Sequence, residues 1–230
     1  MAAFLNRCSR AAHALLPSSC VLCGGRTAGS RLCAPCRGDL PAMPAARCAR
    51  CALPLASGRV CAECLARAPS YDAVAAAFPY QFPVDALVQA YKYGGDLTLA
   101  PLFACELARC VRPDVDAIVA MPLSASRLAE RGFNQAHEIA RHLGRTLRVP
   151  VLAGACRKVA ETTPQAGLTL AQRVRNVRRA FVCEADLPGQ RIAIVDDVMT
   201  TGATLNELAR VVKRAGAARI SGWVVARTLR

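Results

Sequence analysis

The segment from Arg191 to Thr204, RIAIVDDVMTTGAT, carries a dense chemical signal. Four apolar residues, Ile192 to Val195, predict a buried strand with Asp196 and Asp197 at its carboxyl end. After Val198 and Met199, the residues Thr200, Thr201, Gly202, Ala203 and Thr204 form a small-residue loop that leads into a helix. Successive backbone N–H groups in such a loop, backed by a helix N-terminus, suit a phosphate monoester. The threonine hydroxyls add donors, and Gly202 lets the backbone come close to a ligand. Two carboxylates just before this cradle can accept hydrogen bonds from the vicinal hydroxyls of a ribose, directly or through Mg²⁺-bound water. The segment therefore reads as a 5-phosphoribosyl site. A helix-capping aspartate would explain one acid but neither the pair nor the loop.

A second chemistry lies upstream. Eight of the thirteen cysteines form four C-x-x-C pairs, Cys20/Cys23, Cys33/Cys36, Cys48/Cys51 and Cys61/Cys64, separated by 9, 11 and 9 residues. Two residues between thiols let one tight turn aim both sulfurs at a cation, and a second turn about ten residues away completes a tetrahedron. Two structural Zn²⁺ sites follow, and four such pairs in series do not fit a redox motif. The simplest ligand sets join consecutive pairs, while a cross-braced arrangement of first with third satisfies the same sequence. Glycine follows closely in CVLCGG and CAPCRG, where a turn needs permissive φ, but not in CARCAL or CAECLA. With no open coordination position, these metals stabilise the fold and perform no catalysis. Cys8, Cys105, Cys110, Cys156 and Cys183 stand singly and read as small buried hydrophobes.

The elements that must position these groups change character along the chain. Residues 1–17 are expected to form an amphipathic helix, 18–68 a double zinc ribbon and 71–230 an α/β domain. From Tyr71 onward, short apolar runs alternate with amphipathic stretches. Strands are expected over AVAAAFPY, DAIVAMP, residues 149–152, RIAIVDD and RISGWVVAR. Helices are expected over VDALVQAYKY, TLAPLFACELARCV, AHEIARHLGRTL, LAQRVRNV and ATLNELARVVKRAG. Such alternation predicts a mostly parallel sheet with its ligand at the carboxyl ends of the strands.

Composition bounds the reading. The chain has 230 residues, 53% hydrophobic and 20% charged, which excludes general disorder. Its longest uncharged stretch, Ala11 to Gly25, contains His13 and Pro17 and is too short and polar to span a bilayer. Arg7 and Arg10 stand where a signal peptide needs its apolar core, so a cytoplasmic location is expected. The net charge is +14; the part before Tyr71 holds 9 basic and 2 acidic residues, the rest 21 and 14. That balance favours a phosphate-rich partner.

IVDDVMTTGAT resembles the phosphoribosyl-pyrophosphate motif of type I phosphoribosyltransferases, and the chain from about Cys20 to Thr228 resembles the ComF/GntX family. Further marks are Lys92-Tyr93-Gly94-Gly95-Asp96, Pro122-Leu123, Arg127 and Arg131-Gly132-Phe133-Asn134-Gln135. Thr163-Pro164-Gln165, Leu168, Arg173 and Asn176 add to them, with Gln172 where relatives often carry Glu. The resemblance implies a type I phosphoribosyltransferase-like α/β fold, with a Rossmann-like parallel sheet, behind an N-terminal double zinc ribbon. It implies that phosphoribosyl pyrophosphate binds with Mg²⁺ through Asp196, Asp197 and residues Met199 to Thr204. Arg127 and Arg131, in an arginine-rich loop after a Pro-bearing turn, would neutralise the diphosphate, and the peptide near Leu123 or Ser124 would be strained towards it. Asp196, Asp197 and Arg131 would be the catalytic groups. Leu123, Ser124, Arg127 and Lys92 would join the phosphoribosyl pyrophosphate contacts, although Lys92 also fits a helix that ends at Gly94.

The same resemblance points to DNA uptake in natural competence, with single-stranded DNA and uptake proteins as partners; the alternative is phosphoribosyl transfer to a nucleobase. The basic stretch Arg157 to Arg179 reads as a closing loop over the cleft or as a track for a nucleic-acid backbone. Phe133, Phe181, Trp223, Tyr91 and Tyr93 are the candidate stacking aromatics.

Overall fold

The computed structural model describes residues 18–27, 30–159 and 179–229. Outside them lie the helix expected over 1–17, Cys8, the helix expected at LAQRVRNV and most of the basic stretch. Thr163, Pro164, Gln165, Leu168, Gln172, Arg173 and Asn176 fall there too.

The cysteine-rich part has little regular structure. Strands β1 (Ser18–Ser19) and β2 (Arg26–Thr27) pair antiparallel, and two five-residue helices follow, α1 (Ala34–Gly38) and α2 (Ala62–Ala66). Cys33 is the N-cap of α1 and Cys61 that of α2, so the second C-x-x-C of each set is the first turn of a helix.

The α/β part runs β3 (Ala73–Pro79), α3 (Val84–Tyr93), a 3₁₀ turn at Leu97–Leu99, α4 (Ala100–Cys110) and β4 (Ala117–Ala120). Then come α5 (Ala125–Arg131), α6 (Gln135–Leu147), β5 (Cys156–Lys158) and β6 (Phe181–Cys183). Last are β7 (Arg191–Met199), α7 (Ala203–Arg214) and β8 (Arg219–Arg227). Four strands form a wholly parallel sheet in the order β3-β8-β7-β4. The central strands are buried on both faces, which is why Ile192 to Val195 and Trp223 to Ala226 read as continuous apolar runs.

Alternate residues of each strand feed two cores. Ala193, Val195, Trp223 and Val225 pack with α3, α4 and α6 on one side; Ile192, Ile194 and Val224 pack with α7 on the other. Helix α7 presents Leu205, Leu208, Ala209 and Val212, a 3-4 spacing that forms one apolar stripe. Helix α6 starts at Asn134, whose side chain accepts from the His137 N–H at 3.2 Å, and stops at Arg148 in the left-handed region.

Four features depart from expectation. The arginine-rich loop after Pro122 is largely the helix α5, capped at its C-terminus by Gly132 with φ +74°. Residues 149–152 contribute only a parallel bridge of Val151 to Ile118, beside β4. A hairpin of β5 and β6 was not foreseen. Cys105 and Cys110 are exposed on α4, whereas Cys156 is buried opposite Cys183 across that hairpin.

Candidate functional site

In the first cysteine cluster, Cys20, Cys23, Cys33 and Cys36, all four sulfurs lie within 4.8 Å of one another, and so do those of the second, Cys48, Cys51, Cys61 and Cys64. A tetrahedral thiolate site with bonds of about 2.3 Å needs sulfurs roughly 3.8 Å apart. Cys23–Cys33 at 3.7 Å and Cys51–Cys61 at 3.6 Å meet that requirement, so the residues fit zinc and the consecutive pairing holds. Backbone amides complete each shell: Gly25 N–H donates to Cys23 Sγ at 3.4 Å and Cys61 N–H to Cys48 Sγ at 3.3 Å. Burial raises the Cys20 thiol, but the amides of Cys33, Cys23 and Leu22 outweigh it and bring the pKa down to about 6. At Cys48, burial is likewise outweighed by the amides of Cys51, Cys61 and Arg50, again to about 6. Where glycine is missing, at CARCAL, Ala52 itself takes a left-handed φ of 60°, the counterpart of Gly24 at 71°.

The cleft lies at the carboxyl ends of β3, β4 and β7. It has a volume of about 480 Å³, and its lining includes Lys92, Leu123, Arg127, Arg131, Asp196, Asp197, Met199, Thr200, Gly202, Ala203 and Thr204. Two expected residues do not line it: Ser124 is buried with its hydroxyl 3.1 Å from that of Ser126, and Thr201 turns its Oγ1 to the Ala203 N–H at 3.3 Å.

Asp196 and Asp197 sit within β7 rather than at its end, because β8 keeps pairing as far as Met199 with Arg227. Both still reach the cleft. β4 pairs only as far as Ala120 with Val195, so beyond that point one edge of β7 has no neighbouring strand. Burial, then the charge of Asp197, pushes the Asp196 carboxyl up to about 7. Asp197 Oδ1 accepts from the Val198 N–H at 2.6 Å and from Lys92 Nζ at 2.8 Å. Burial would lower the Lys92 ammonium, but its partner Asp197 outweighs that and raises it. Lys92 stands in the last turn of α3, which ends at Gly94 as its sequence implies.

Gly202 has φ +81° and caps α7. A Cβ there would lie 2.5 Å from Met199 Cε and 3.1 Å from the Tyr71 hydroxyl, so the glycine answers to a left-handed turn and to packing beneath the loop. Across the cleft, the Arg131 guanidinium lies 5.2 Å from the Tyr93 ring centroid and donates to Gln135 Oε1 at 3.1 Å. Its Nε is buried with no hydrogen-bond partner among the described residues, a donor suited to an anion. The strained peptide expected near Leu123 is not seen: Ser124 is extended at φ −70°, ψ 156°, and Phe82–Pro83 is the only cis bond among the described residues.

Sequence reasoning missed Tyr80, Met121 and Leu205 in the lining, which Lys158 joins from the start of the basic stretch. Tyr80 follows the end of β3 and Met121 that of β4, so the strand-end rule could have found both. Lys158 faces Phe181 across the unforeseen hairpin. Of the candidate stacking aromatics, Tyr91, Trp223 and Phe181 are buried and Phe133 packs on the core; Tyr93 is exposed, as is Phe82.

Residues 11–65 match the double zinc ribbon domain family and residues 128–229 the phosphoribosyl transferase domain family. Competence protein F of Haemophilus influenzae is 34% identical over 170 residues, covering 69% of this chain and 74% of that protein. The chain belongs to the competence protein F family. DNA utilization protein YhgH of Salmonella typhi is 31% identical over 175 residues, covering 71% and 75%. The Escherichia coli protein of that name is 39% identical over 114 residues, half of each chain. The purine phosphoribosyltransferase of Pyrococcus horikoshii superposes with a TM-score of 0.32 at 20% identity, over 57% of this chain and 82% of that one. The parallel sheet and the two Cys₄ clusters agree with the phosphoribosyl transferase domain and the double zinc ribbon that the two domain matches describe.

Proposed function

We propose that the cleft binds phosphoribosyl pyrophosphate and that the protein acts in the uptake or use of external DNA. The convergence of the Asp196–Asp197 pair, the loop before α7 and the Arg127–Arg131 helix on one cleft supports the ligand. In this reading Thr200 to Thr204 hold the 5′-phosphate, Asp196 and Asp197 accept from the ribose hydroxyls, and Arg127, Arg131 and Leu123 serve the diphosphate side, with Ser124 buried behind them. Lys92 releases or shares Asp197 when the ribose arrives. Mg²⁺ bound near the aspartates would neutralise diphosphate oxygens.

The process rests on the relatives named competence protein F and DNA utilization protein. Single-stranded DNA is the nucleic acid the net charge of +14 would serve, in the cytoplasm, with uptake proteins as further partners. No helix among the described residues is long and apolar enough to cross a membrane. A second reading, phosphoribosyl transfer to a nucleobase with Asp196, Asp197 and Arg131 as catalytic groups, is favoured by Tyr80 and Tyr93 in the lining. These offer faces on which a planar acceptor can stack.

Calorimetry tests the ligand. Binding should be saturable and Mg²⁺-dependent, vanish in Asp196→Asn/Asp197→Asn and weaken at least tenfold in Gly202→Val. Unchanged binding in the folded variants would reject the assignment. Diphosphate release with a base present would establish transfer. Single-stranded DNA affinity that ignores salt would remove the electrostatic argument for DNA.

A further inference from the structure

Arg227 ends β8 and is one of the largest fully buried side chains, 1% exposed. Its position is unusual in what it joins. Nε donates to the carbonyl of Cys51 at 2.9 Å, and Cys51 belongs to the second cysteine cluster. Nη1 donates to the carbonyls of Met199 at 3.0 Å and Thr228 at 2.9 Å, and also to Thr200 O. Met199 and Thr200 open the small-residue loop. One planar, permanently charged fork therefore holds a metal-binding turn and that loop at fixed separation, a geometry a lysine cannot reproduce.

A neighbour reinforces the link. Tyr71 is buried beside the same cluster and packs its hydroxyl under Gly202. Burial raises its pKa, the charges of Cys51 and Cys64 raise it further and that of Arg227 opposes them, so all of these groups share one electrostatic neighbourhood. A divalent ion with four thiolates would leave a net negative cluster, and the buried guanidinium lies beside it through the Cys51 carbonyl. Among the described residues no such fork joins the first cluster to this loop: Cys20 and Leu32 pack into the core on the other face of the sheet, and Arg31 beside them pairs with Asp96.

We infer that Arg227 is a positioning residue that builds the second cysteine cluster into the support of the loop at 199–204, so that metal occupancy there and anion binding on the loop strengthen each other. This rests on reading the loop as the phosphate site, and linkage makes the coupling reciprocal.

The test uses the zinc-loaded full chain with Arg227→Met, Arg227→Lys, Cys61→Ser in the second cluster and Cys33→Ser in the first. Amide hydrogen exchange at 199–203, without ligand, is the primary readout; phosphoribosyl pyrophosphate affinity and zinc content are the others. Arg227→Met and Cys61→Ser should each speed exchange there about tenfold and weaken the ligand by a similar factor. Arg227→Lys should fall between them and wild type, and Cys33→Ser should leave exchange at 199–203 at the wild-type rate. A merely stabilising Arg227 would lower the melting temperature but leave exchange at this loop and the affinity of the folded protein unmoved; that result overturns the inference. If Arg227→Met fails to fold, Cys61→Ser against Cys33→Ser decides by the same exchange measurement. Failure of wild type to bind phosphoribosyl pyrophosphate would reject the ligand reading alone, since the exchange comparison contains no ligand.

Discussion

The two cysteine clusters share one spacing, C-x₂-C-x₉-C-x₂-C, yet they are built into the molecule differently. In the first, only Cys20 is buried and Cys23 is exposed; its link to the cleft side is the ion pair of Arg31 with Asp96 at 2.5 Å, beyond the end of α3. In the second, Cys48, Cys51 and Cys64 are buried, in the core that holds α7 and Tyr71. Identical ligand spacing thus describes two metal sites, while the packing around them decides which one bears on the ligand loop. The distinction is testable at several scales.

The largest effect should come from a single ligand. Cys48→Ser and Cys23→Ser should each lower zinc content from two ions per chain to one, and a structural zinc carries an apparent ~10–16 kcal/mol of coupled folding energy. A whole domain is stable by only about 5–15 kcal/mol. Because Cys48 is 1% exposed and shares a core with β7 and α7, its loss should lower the melting transition of the α/β domain as well as that of the ribbon. Cys23→Ser should leave a resolvable α/β transition in calorimetry. Equal depression of that transition in both variants would erase the proposed asymmetry.

Next come the residues that attach each cluster. Tyr71→Ala opens a cavity under Gly202 at a site 4% exposed, and large-to-Ala changes in cores cost about 3–5 kcal/mol. Asp96→Asn removes a partly exposed pair, worth about 1 kcal/mol or less. Denaturant titration should rank them in that order, and only Tyr71→Ala should weaken phosphoribosyl pyrophosphate binding. A larger loss from Asp96→Asn would place the dominant attachment on the first cluster.

How much of this was legible depended on whether local pattern or distant pairing fixed each element. The helix at 84–93 and the strand at 219–227 could be read to the residue, because a buried stripe and a doubly buried run leave periodic signatures. The hairpin of Cys156–Lys158 with Phe181–Cys183 could not: each strand has three residues, and their pairing bridges more than twenty positions. The interior place of Asp196 was equally hidden, since β7 is prolonged by β8 and not by its own apolar run. Among site residues, those in contiguous motifs were found, whereas Tyr80 and Met121 reach the cleft only through the fold. Arg227 resembled the polar end of any strand; its burial and its bond to Cys51, 176 positions away, have no local signature.

Acidity separates the same two sides. Burial raises Asp96, but the Thr98 hydroxyl and Arg31 outweigh it and hold the carboxyl below its ordinary value. Its stabilising contribution is therefore present above the unfolded value and is lost only as pH falls through the lowered one. Asp196 goes the other way, raised to about 7, so the folded protein favours its protonated form below that pH, and the stability this proton supplies fades as pH rises towards 7. Ribose hydroxyls need the carboxylate. Affinity for phosphoribosyl pyrophosphate should therefore rise about tenfold between pH 6 and 8, with proton release on binding below pH 7. Asp196→Asn separates this from titration of the ligand's own phosphate. A pH-independent difference between wild type and Asp196→Asn over that range would show that Asp196 is already ionised.

The smallest effect compares the turns of the two knuckles directly. Gly24 and Ala52 follow the second cysteine of their pairs, both with positive φ. A Cβ at Gly24 meets nothing within 4 Å, so Gly24→Ala sets only the dihedral cost, about 1–2 kcal/mol, against the smaller gain from a stiffer unfolded chain. At Ala52, glycine relieves that same cost, but it adds freedom to the unfolded chain, worth about 0.4–1 kcal/mol, and removes a methyl group that is 0% exposed. The opposing terms should leave Ala52→Gly within about 1 kcal/mol of wild type in zinc-saturated denaturation, where Gly24→Ala is clearly destabilised. Stabilisation of Ala52→Gly by well over 1 kcal/mol would mean that the second turn stores more strain than its φ implies. Its alanine would then be held there by the packing of the buried cluster against the α/β core, and not by tolerance of the turn itself.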